Sequence, residues 1–399
     1  MADVEGVGLA RWREPVSRRS FLAGLGLGGA VIVVARTGIG SYRAYGQAVP
    51  GGGDPYQPWQ DWQGYQGANA MVAAAILAAN AHNAQAWLFA LHRDRIDLFA
   101  DTSRSTGTLD PVLRELHVGL GCAIENLTLA ARAQGLRPEV TLAPQGSRAK
   151  LVARIRLGRG AAIRNELYQA IPERHSNRGG YDGRSIPNEV VQEISRLADR
   201  TVAPARIQWF ADASDRQHFG DLLVSATEAQ VNDEQQSIDS FSWFRSTDEE
   251  IRQHRDGLTL YGQGFTDAEL AGAQGAPVSR TLADQVFLQR TRDVHVATAA
   301  AFGVITVPDP HDLAQQLAGG RLLQRVHLWT AAHGLAFQHM NQITERADRE
   351  TQLRIEPKFG AALNSLLDKH RHVLVSFRIG YPTITPGLSP RRALADVLR

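Results

Sequence analysis

The segment Asn80-Ala81-His82-Asn83-Ala84-Gln85-Ala86-Trp87 places three carboxamides and one imidazole within six residues. A carboxamide both donates and accepts, and an imidazole does either according to its tautomer. Such a turn can present hydrogen bonds to the edge of a planar heterocycle. The same residues also suit a plainer task, with Asn80 capping the preceding helix ahead of a polar turn. A second stretch, Ile171-Pro172-Glu173-Arg174-His175-Ser176-Asn177-Arg178, spaces Arg174, Ser176 and Arg178 two apart, and a third, Pro390-Arg391-Arg392, lies in the tail. Guanidinium forks make bidentate, charge-assisted bonds to phosphate oxygens, so arginines from two distant segments could close on one anion. Taken singly, each reads equally as surface charge.

Other constellations carry less. His327, His333 and His339 fall six apart and so do not share a helix face, and His370 and His372 have no acidic neighbour, which argues against a metal. Neither a G-x-S-x-G elbow nor a P-loop is present. Gly24, Gly26 and Gly29 spell G-x-G-x-x-G, but a basic stretch precedes them where a dinucleotide site needs a strand. Cys122, the sole cysteine, sits in Gly119-Leu120-Gly121-Cys122-Ala123-Ile124 and reads as a small packed hydrophobe.

The elements that must hold these residues follow from periodicity. Residues 68–79 are almost wholly apolar and predict a buried helix ending at Asn80. Residues 86–99 predict a hairpin about Asp94-Arg95, and 114–135 a long apolar helix closed by Gly135. Strands are expected over 139–143, 150–157, 207–210, 299–307 and 373–379. Helices are expected over 163–170, 188–199 behind Pro187, 215–232 and 312–340. Residues 237–277, polar and aromatic, read as an insertion able to act as a lid. Hairpins without repeated strand-crossover-strand units favour an α+β fold, and the two halves share one plan, as a duplicated unit would.

The N-terminus reads as an address. Ser17-Arg18-Arg19-Ser20-Phe21-Leu22, followed by an uncharged apolar run to Ala35, has the form of a twin-arginine signal peptide. Gly46-Gln47-Ala48 offers small residues for cleavage near Ala48; an uncleaved anchor is the alternative. Residues 49–67 then read as a linker. Residues 1–48 hold six arginines and three acids; taking these from the 43 bases and 41 acids of the whole chain leaves 37 bases against 38 acids. With no basic field, nucleic acid is not an expected partner.

The turn around Asn80 resembles the P-S-x-x-N-x-Q-P-W element of the flavin-dependent nitroreductase family. His82-Asn83 followed by Gln85 and Trp87 looks like its Acg-type branch, whose single chains contain two nitroreductase-like halves. Asp101-Thr102-Ser103-Arg104, Asp110-Pro111 and Arg114-Glu115-Leu116 are similar to that branch's first half. Residues 119–131 resemble the family's long core helix, and 171–178 its R-x-S-x-R phosphate element. Arg255-Asp256-Gly257 lies where the branch carries its lid. Ala332-His333-Gly334-Leu335-Ala336 resembles its A-x-x-G-L-A helix, and Gly380-Tyr381-Pro382 with Pro390-Arg391-Arg392 its C-terminal phosphate clamp.

The resemblance covers about 65–399 and implies a nitroreductase-like fold. The halves, 68–160 and 161–399, would act as the two subunits of a pseudo-dimer around FMN, so that a monomer suffices. It implies Asn80, His82, Asn83 and Gln85 on the isoalloxazine side. Arg174, Ser176 and Arg178 would lie on the phosphate, with Arg391 or Arg392 closing over it, so that Asn83 and Arg174 would face one cavity. The implied activity is an oxidoreductase passing hydride or electrons to a small-molecule acceptor such as a nitro compound or quinone; the alternative is a non-enzymatic FMN store. Ala79-Asn80 replaces the family's Pro-Ser and Ala86 its second proline, and only one complete set of elements is present, which implies one FMN per chain. Export of folded protein by the twin-arginine machinery to a periplasmic or other extracytoplasmic site would suit a cofactor inserted beforehand.

Overall fold

In the computed structural model the described residues are 54–399 except 148, 200, 201, 203, 274–277 and 368–369. The expected signal segment 1–48 and the start of the linker lie outside them. Among the described residues no helix is long and apolar enough to cross a membrane.

Helix α1 (Gly67–Ala75) leads through a strained turn into the hairpin β1 (Trp87–Leu91) and β2 (Arg95–Ala100). Trp87 pairs with Ala100 and Leu91 with Ile96, and alternation buries Trp87, Phe89, Ile96 and Leu98. Helix α2 (Arg114–Ala133) follows, then β3 (Leu136–Leu142) and β4 (Leu151–Arg159). The second half runs α3 (Asn188–Ser195), β5 (Arg206–Phe210) and α4 (Ala213–Asn232). Its insertion carries α5 (Glu234–Ser242), β6 (Phe244–Arg245), α6 (Asp248–His254), β7 (Leu258–Thr259) and α7 (Arg280–Arg290). It closes with β8 (Ala301–Val307), α8 (Leu313–Ala332), β9 (Ala336–His339), α9 (Gln342–Leu353), α10 (Lys358–Ser365) and β10 (His372–Gly380).

Two antiparallel sheets result, with spatial orders β1-β2-β4-β3 and β5-β8-β10-β9. Both orders are first-second-fourth-third, and in both a 20-residue helix, α2 or α8, joins the second strand to the third. The fold is therefore α+β with an internal pseudo-twofold plan. The halves differ in the link between their first two strands, a tight turn in one and the long insertion in the other. The chain end returns to the first half: Leu398 bridges Phe89, and the Arg399 amide donates to the Phe89 carbonyl at 2.9 Å.

Helices α2 and α8 pack as the central layer. Their backbones meet at Gly121 and Gly320, where a Cβ on either would collide with the other helix, at Leu317 O or at Val118 O. Around that crossing the buried polar groups are paired. Glu125 accepts from Arg321 at 2.9 Å and Arg325 at 2.8 Å, and Asn126 accepts from Gln324 at 2.8 Å. Cys122 is packed there as expected, its thiol bonding to the Gly320 carbonyl and its pKa raised to about 12 by burial.

Among the element boundaries that differ from expectation, three bear on the site. Helix α1 stops at Ala75, not Ala79, because side chains take the next carbonyls: Asn126 takes Ala74 O (2.9 Å) and Arg174 takes Leu77 O (2.9 Å). The expected helix over 312–340 ends at Ala332, where Gly334 adopts φ +70° and starts a turn into β9. The A-x-x-G-L-A stretch is thus a helix end and a strand start. In the stretch 163–170 only Glu166–Gln169 is helical, begun by Asn165 accepting from the Tyr168 amide.

Candidate functional site

The turn after α1 gathers the densest run of left-handed non-glycine residues among the described residues. His82, Asn83 and Gln85 have φ of 47°, 54° and 54°, three left-handed non-glycine residues within four positions. Each such residue costs about 1–3 kcal/mol and persists only where the surroundings over-determine it. Here they do. Asn80 Oδ1 accepts from the Gln85 amide at 2.8 Å and its Nδ2 donates to Ala78 O at 3.2 Å, closing the turn on itself.

Beneath this turn lies a cavity of about 220 Å³, bounded by the start of α2, by β9, by α9 and by the insertion. Asn80, His82, Ser176 and Arg178 line it, so the structure brings two of the expected segments together although they lie about a hundred positions apart. Arg178, on the second, donates to Gly262 O in the insertion at 2.9 Å. Phe241, Phe244, Phe265 and Phe287 give the insertion side an apolar wall.

The remaining expected residues point elsewhere, and Asn83 and Arg174 do not line the cavity. Asn83 Nδ2 donates to Gly257 O at 3.2 Å and Pro390 O at 2.9 Å, while its Oδ1 accepts from Arg391. Gln85, fully buried, donates to Arg255 O and accepts from the Arg392 amide, both at 2.8 Å. Arg392 reaches Gln85 O at 3.2 Å and Asp396 O at 2.5 Å. Arg174 and Arg391 lie over Trp59 with guanidinium-to-ring distances of 5.7 and 4.8 Å, and the Trp59 indole donates to Ser389 O. Asn83, Gln85, Arg391 and Arg392 therefore hold polypeptide: they fasten the insertion at Arg255-Asp256-Gly257 and the tail at 389–392 onto the strained turn, while Arg174 donates to Leu77 O at the end of α1. Asp256 reinforces the fastening by pairing with Arg104 and with Arg245 (2.7 Å).

The cavity is electrically polar. At one pole stand Arg178 and Arg290, with Arg378 behind them. Burial lowers Arg178 and Arg378 to about 10 and Arg290 in the same direction. Among the described residues no carboxylate pairs with Arg178 or Arg378, and Arg290 has only Glu269 at 3.6 Å, its buried Nε lacking a partner. The surplus charge reaches the nearby imidazoles. His82 is pushed down to about 4 by burial and by Arg178, and His339 to about 3 by burial, Arg174 and Arg178. Both are neutral at pH 7. The lining also includes two buried carboxyls, Glu115 and Glu345, with Gln230, Asn341 and Gln342.

Arg290, His339, Glu115 and Glu345 were not among the residues expected at the site. In the structure Arg290 immediately precedes the π-helical turn Thr291–Val296, a distortion frequent at functional sites that nothing in the sequence announces. Among the described residues no group of three or more His, Cys, Asp or Glu stands where it could hold a metal ion.

No family model and no curated protein matches the chain. Among solved structures it is similar to the FMN-dependent nitroreductase NfnB from Mycobacterium smegmatis in complex with NADPH, at 18% identity and TM-score 0.37, over 59% of this chain and 97% of that one. It is also similar to the FMN and NADPH-dependent nitroreductase NfnB from a Sphingopyxis strain (16%, 0.35, over 58% and 97%). A third similarity is to a nitroreductase with bound FMN from Bacteroides fragilis (13%, 0.33, over 57% and 94%).

Proposed function

We propose that this chain binds FMN in the cavity under the strained turn and works as an oxidoreductase of nitroreductase type, delivering electrons to a small nitro or quinone-like acceptor. The observation that carries the reading is the arginine pole, Arg178 without a carboxylate partner among the described residues and Arg290 with Glu269 alone at 3.6 Å, beside a turn of amide and imidazole groups. A phosphate dianion would relieve the buried cations and give the orphaned Arg290 Nε an acceptor. Asn80 and neutral His82 offer hydrogen bonds to a heterocycle edge. When bound, the flavin supplies the redox chemistry; the chain binds, orients and excludes water. Arg178 and Arg290 hold the phosphate end, the phenylalanines of the insertion keep water out, and the turn fixes the polar edge. One FMN per chain would then sit between 68–160 and 161–399, the halves of a monomeric pseudo-dimer.

The decisive experiment is reconstitution. Purified protein should turn yellow with FMN, bleach with NAD(P)H or another hydride donor, and recover its colour with a nitroarene. A second reading, storage of FMN under a closed insertion, is favoured by the Arg104–Asp256–Arg245 fastening. It predicts yellow protein inert to both reagents, and colourless protein that takes up no FMN removes both readings. The twin arginines at 18 and 19 would carry the folded protein out of the cytoplasm through the twin-arginine machinery. Replacing both by lysine should retain it in the cytoplasm, as fractionation would report.

A further inference from the structure

Glu115, in the first turn of α2, and Glu345, on α9, come from opposite halves and both line the cavity. Both are more than nine-tenths buried, and Glu345 lies within hydrogen-bonding reach of Glu115. Two carboxylate oxygens at that range repel unless a proton lies between them. Their surroundings supply little compensation. Asp110, in the loop before α2, accepts the amides of Glu115 (3.1 Å) and Leu116 (2.8 Å), and Asp348 is on α9. Among the described residues the cation ion-paired within this group is Arg114, bonded to Asp348 at 2.8 Å and 4.0 Å from Glu115. From α4 comes only neutral Gln230, and from the end of β9 neutral Asn341, which bonds Glu115. Arg346, on α9, is turned away to Asp233 and Gln236. The buried oxygens Glu115 Oε1, Gln230 Oε1 and Gln342 Oε1 have no donor, so the wall is short of hydrogen-bonding protons.

We propose that Glu115 and Glu345 share one proton at neutral pH and deliver it to the acceptor reduced in this cavity. Reducing a quinone to its hydroquinone adds two electrons and two protons; a hydride donor brings both electrons and one proton, and the second proton must come from another group. The pair gives up that proton, becomes doubly ionised, and is reset from solvent. Burial holds both groups above the usual carboxylate range, which lets the pair keep a proton at a pH where an exposed carboxyl has lost it and release it to a stronger acceptor. This role in reduction rests on the flavin reading; the shared proton itself does not.

Infrared spectroscopy of flavin-free protein labelled with 13C-glutamate tests the shared proton. At pH 7 a label-sensitive carbonyl band of a protonated glutamic acid is expected, fading on alkaline titration. It should be absent from E115Q/E345Q, and in each single variant it should titrate at lower pH. No such band in the wild type, or a band that survives in the double variant, overturns the proposal; the wild-type measurement stands even if a variant does not fold. In FMN-loaded protein E345Q should slow quinone reduction by about 100-fold, within the usual range for losing a general acid. Reduction of ferricyanide, which takes an electron and no proton, should be unchanged. Equal loss with both acceptors overturns the proton-delivery role. Protein that fails to load FMN refutes the flavin reading, and with it that role, while the infrared result still decides the pair.

Discussion

The carboxamide oxygen of Asn83 accepts a hydrogen bond from the guanidinium of Arg391, 308 positions further along the chain. The same carboxamide's nitrogen holds Gly257 O in the insertion and Pro390 O in the tail. One side chain thus joins three segments distant in sequence. Asn83→Ala would leave a buried arginine without that acceptor and two carbonyls without that donor. The expected loss is about 3 kcal/mol, set by desolvated polar groups and not by the bond itself. Urea unfolding measures it, and limited proteolysis should cut near residues 255–257 and 389–392 first.

The division of the arginines gives a second prediction. Arg178 lines the cavity, whereas Arg392 binds Gln85 and Asp396. Arg178→Gln should weaken FMN binding by about 10- to 100-fold, the value of a charge-assisted hydrogen bond. Riboflavin, which lacks the phosphate, should bind the variant and the parent alike. Arg392→Gln should leave FMN affinity within about twofold of the parent, since a residue outside the site contributes little to binding. Flavin fluorescence quenching reads all three, and an Arg178→Gln effect equal for both flavins would place the phosphate elsewhere.

That division also shows what the sequence could convey. The hairpin 87–100, helix α2, strands β8 and β10 and the α+β plan follow from apolar periodicity, which is local. The segments of the site were legible as well, through the crowding of amides in 80–85 and the spacing of Arg174, Ser176 and Arg178. Which members of a motif face the cavity was not legible. Left-handed φ at His82, Asn83 and Gln85 accompanies a turn that leaves Asn80 and His82 on the cavity and carries Asn83 and Gln85 to the insertion and tail, and nothing local dictates that. Arg290, Glu115 and Glu345 sit on helices where one charge resembles any other until tertiary packing buries it. The end of α8 was misplaced because Ala331 to Met340 is apolar enough to continue a helix, and the left-handed Gly334 that ends it is a single residue.

The crossing of the two central helices is open to direct test. Gly121 faces Leu317 O and the Gly320 backbone, and Gly320 faces Val118 O. These contacts are backbone, so no side chain can swing aside. Gly121→Ala should force α2 and α8 apart and cost about 3 kcal/mol, the upper range for overpacking, despite alanine's better helix propensity. Gly146, with open space around it but φ of +85°, provides the contrast. Gly146→Ala should cost only about 1 kcal/mol, from backbone strain alone. Equal losses in thermal or urea unfolding would mean that the helices do not approach as described.

Histidines buried beside arginines lower stability in acid. Burial and neighbouring arginines hold His82 at about 4 and His339 at about 3, and His175, His295 and His327 well below the ordinary 6.5. In the unfolded chain these imidazoles take up protons as pH falls through 6.5, whereas in the folded protein they stay neutral. The unfolded state therefore binds more protons, and stability rises with pH over that window. Their contribution is whole above about pH 6.5 and is lost progressively on descent toward pH 4. Glu345 acts oppositely: its raised pKa costs stability as pH climbs from 4.5 to about 7. Wild-type melting temperature should accordingly peak within or just above this interval and fall on its acid side. His339→Gln should make the acid fall shallower, because one fewer imidazole is protonated on unfolding. E345Q should gain on the wild type from pH 5 to 8 and hold a constant offset above that. Differential scanning calorimetry across pH 4 to 9 on the three proteins distinguishes the two effects, and parallel curves for wild type and His339→Gln would show that this imidazole is not held neutral.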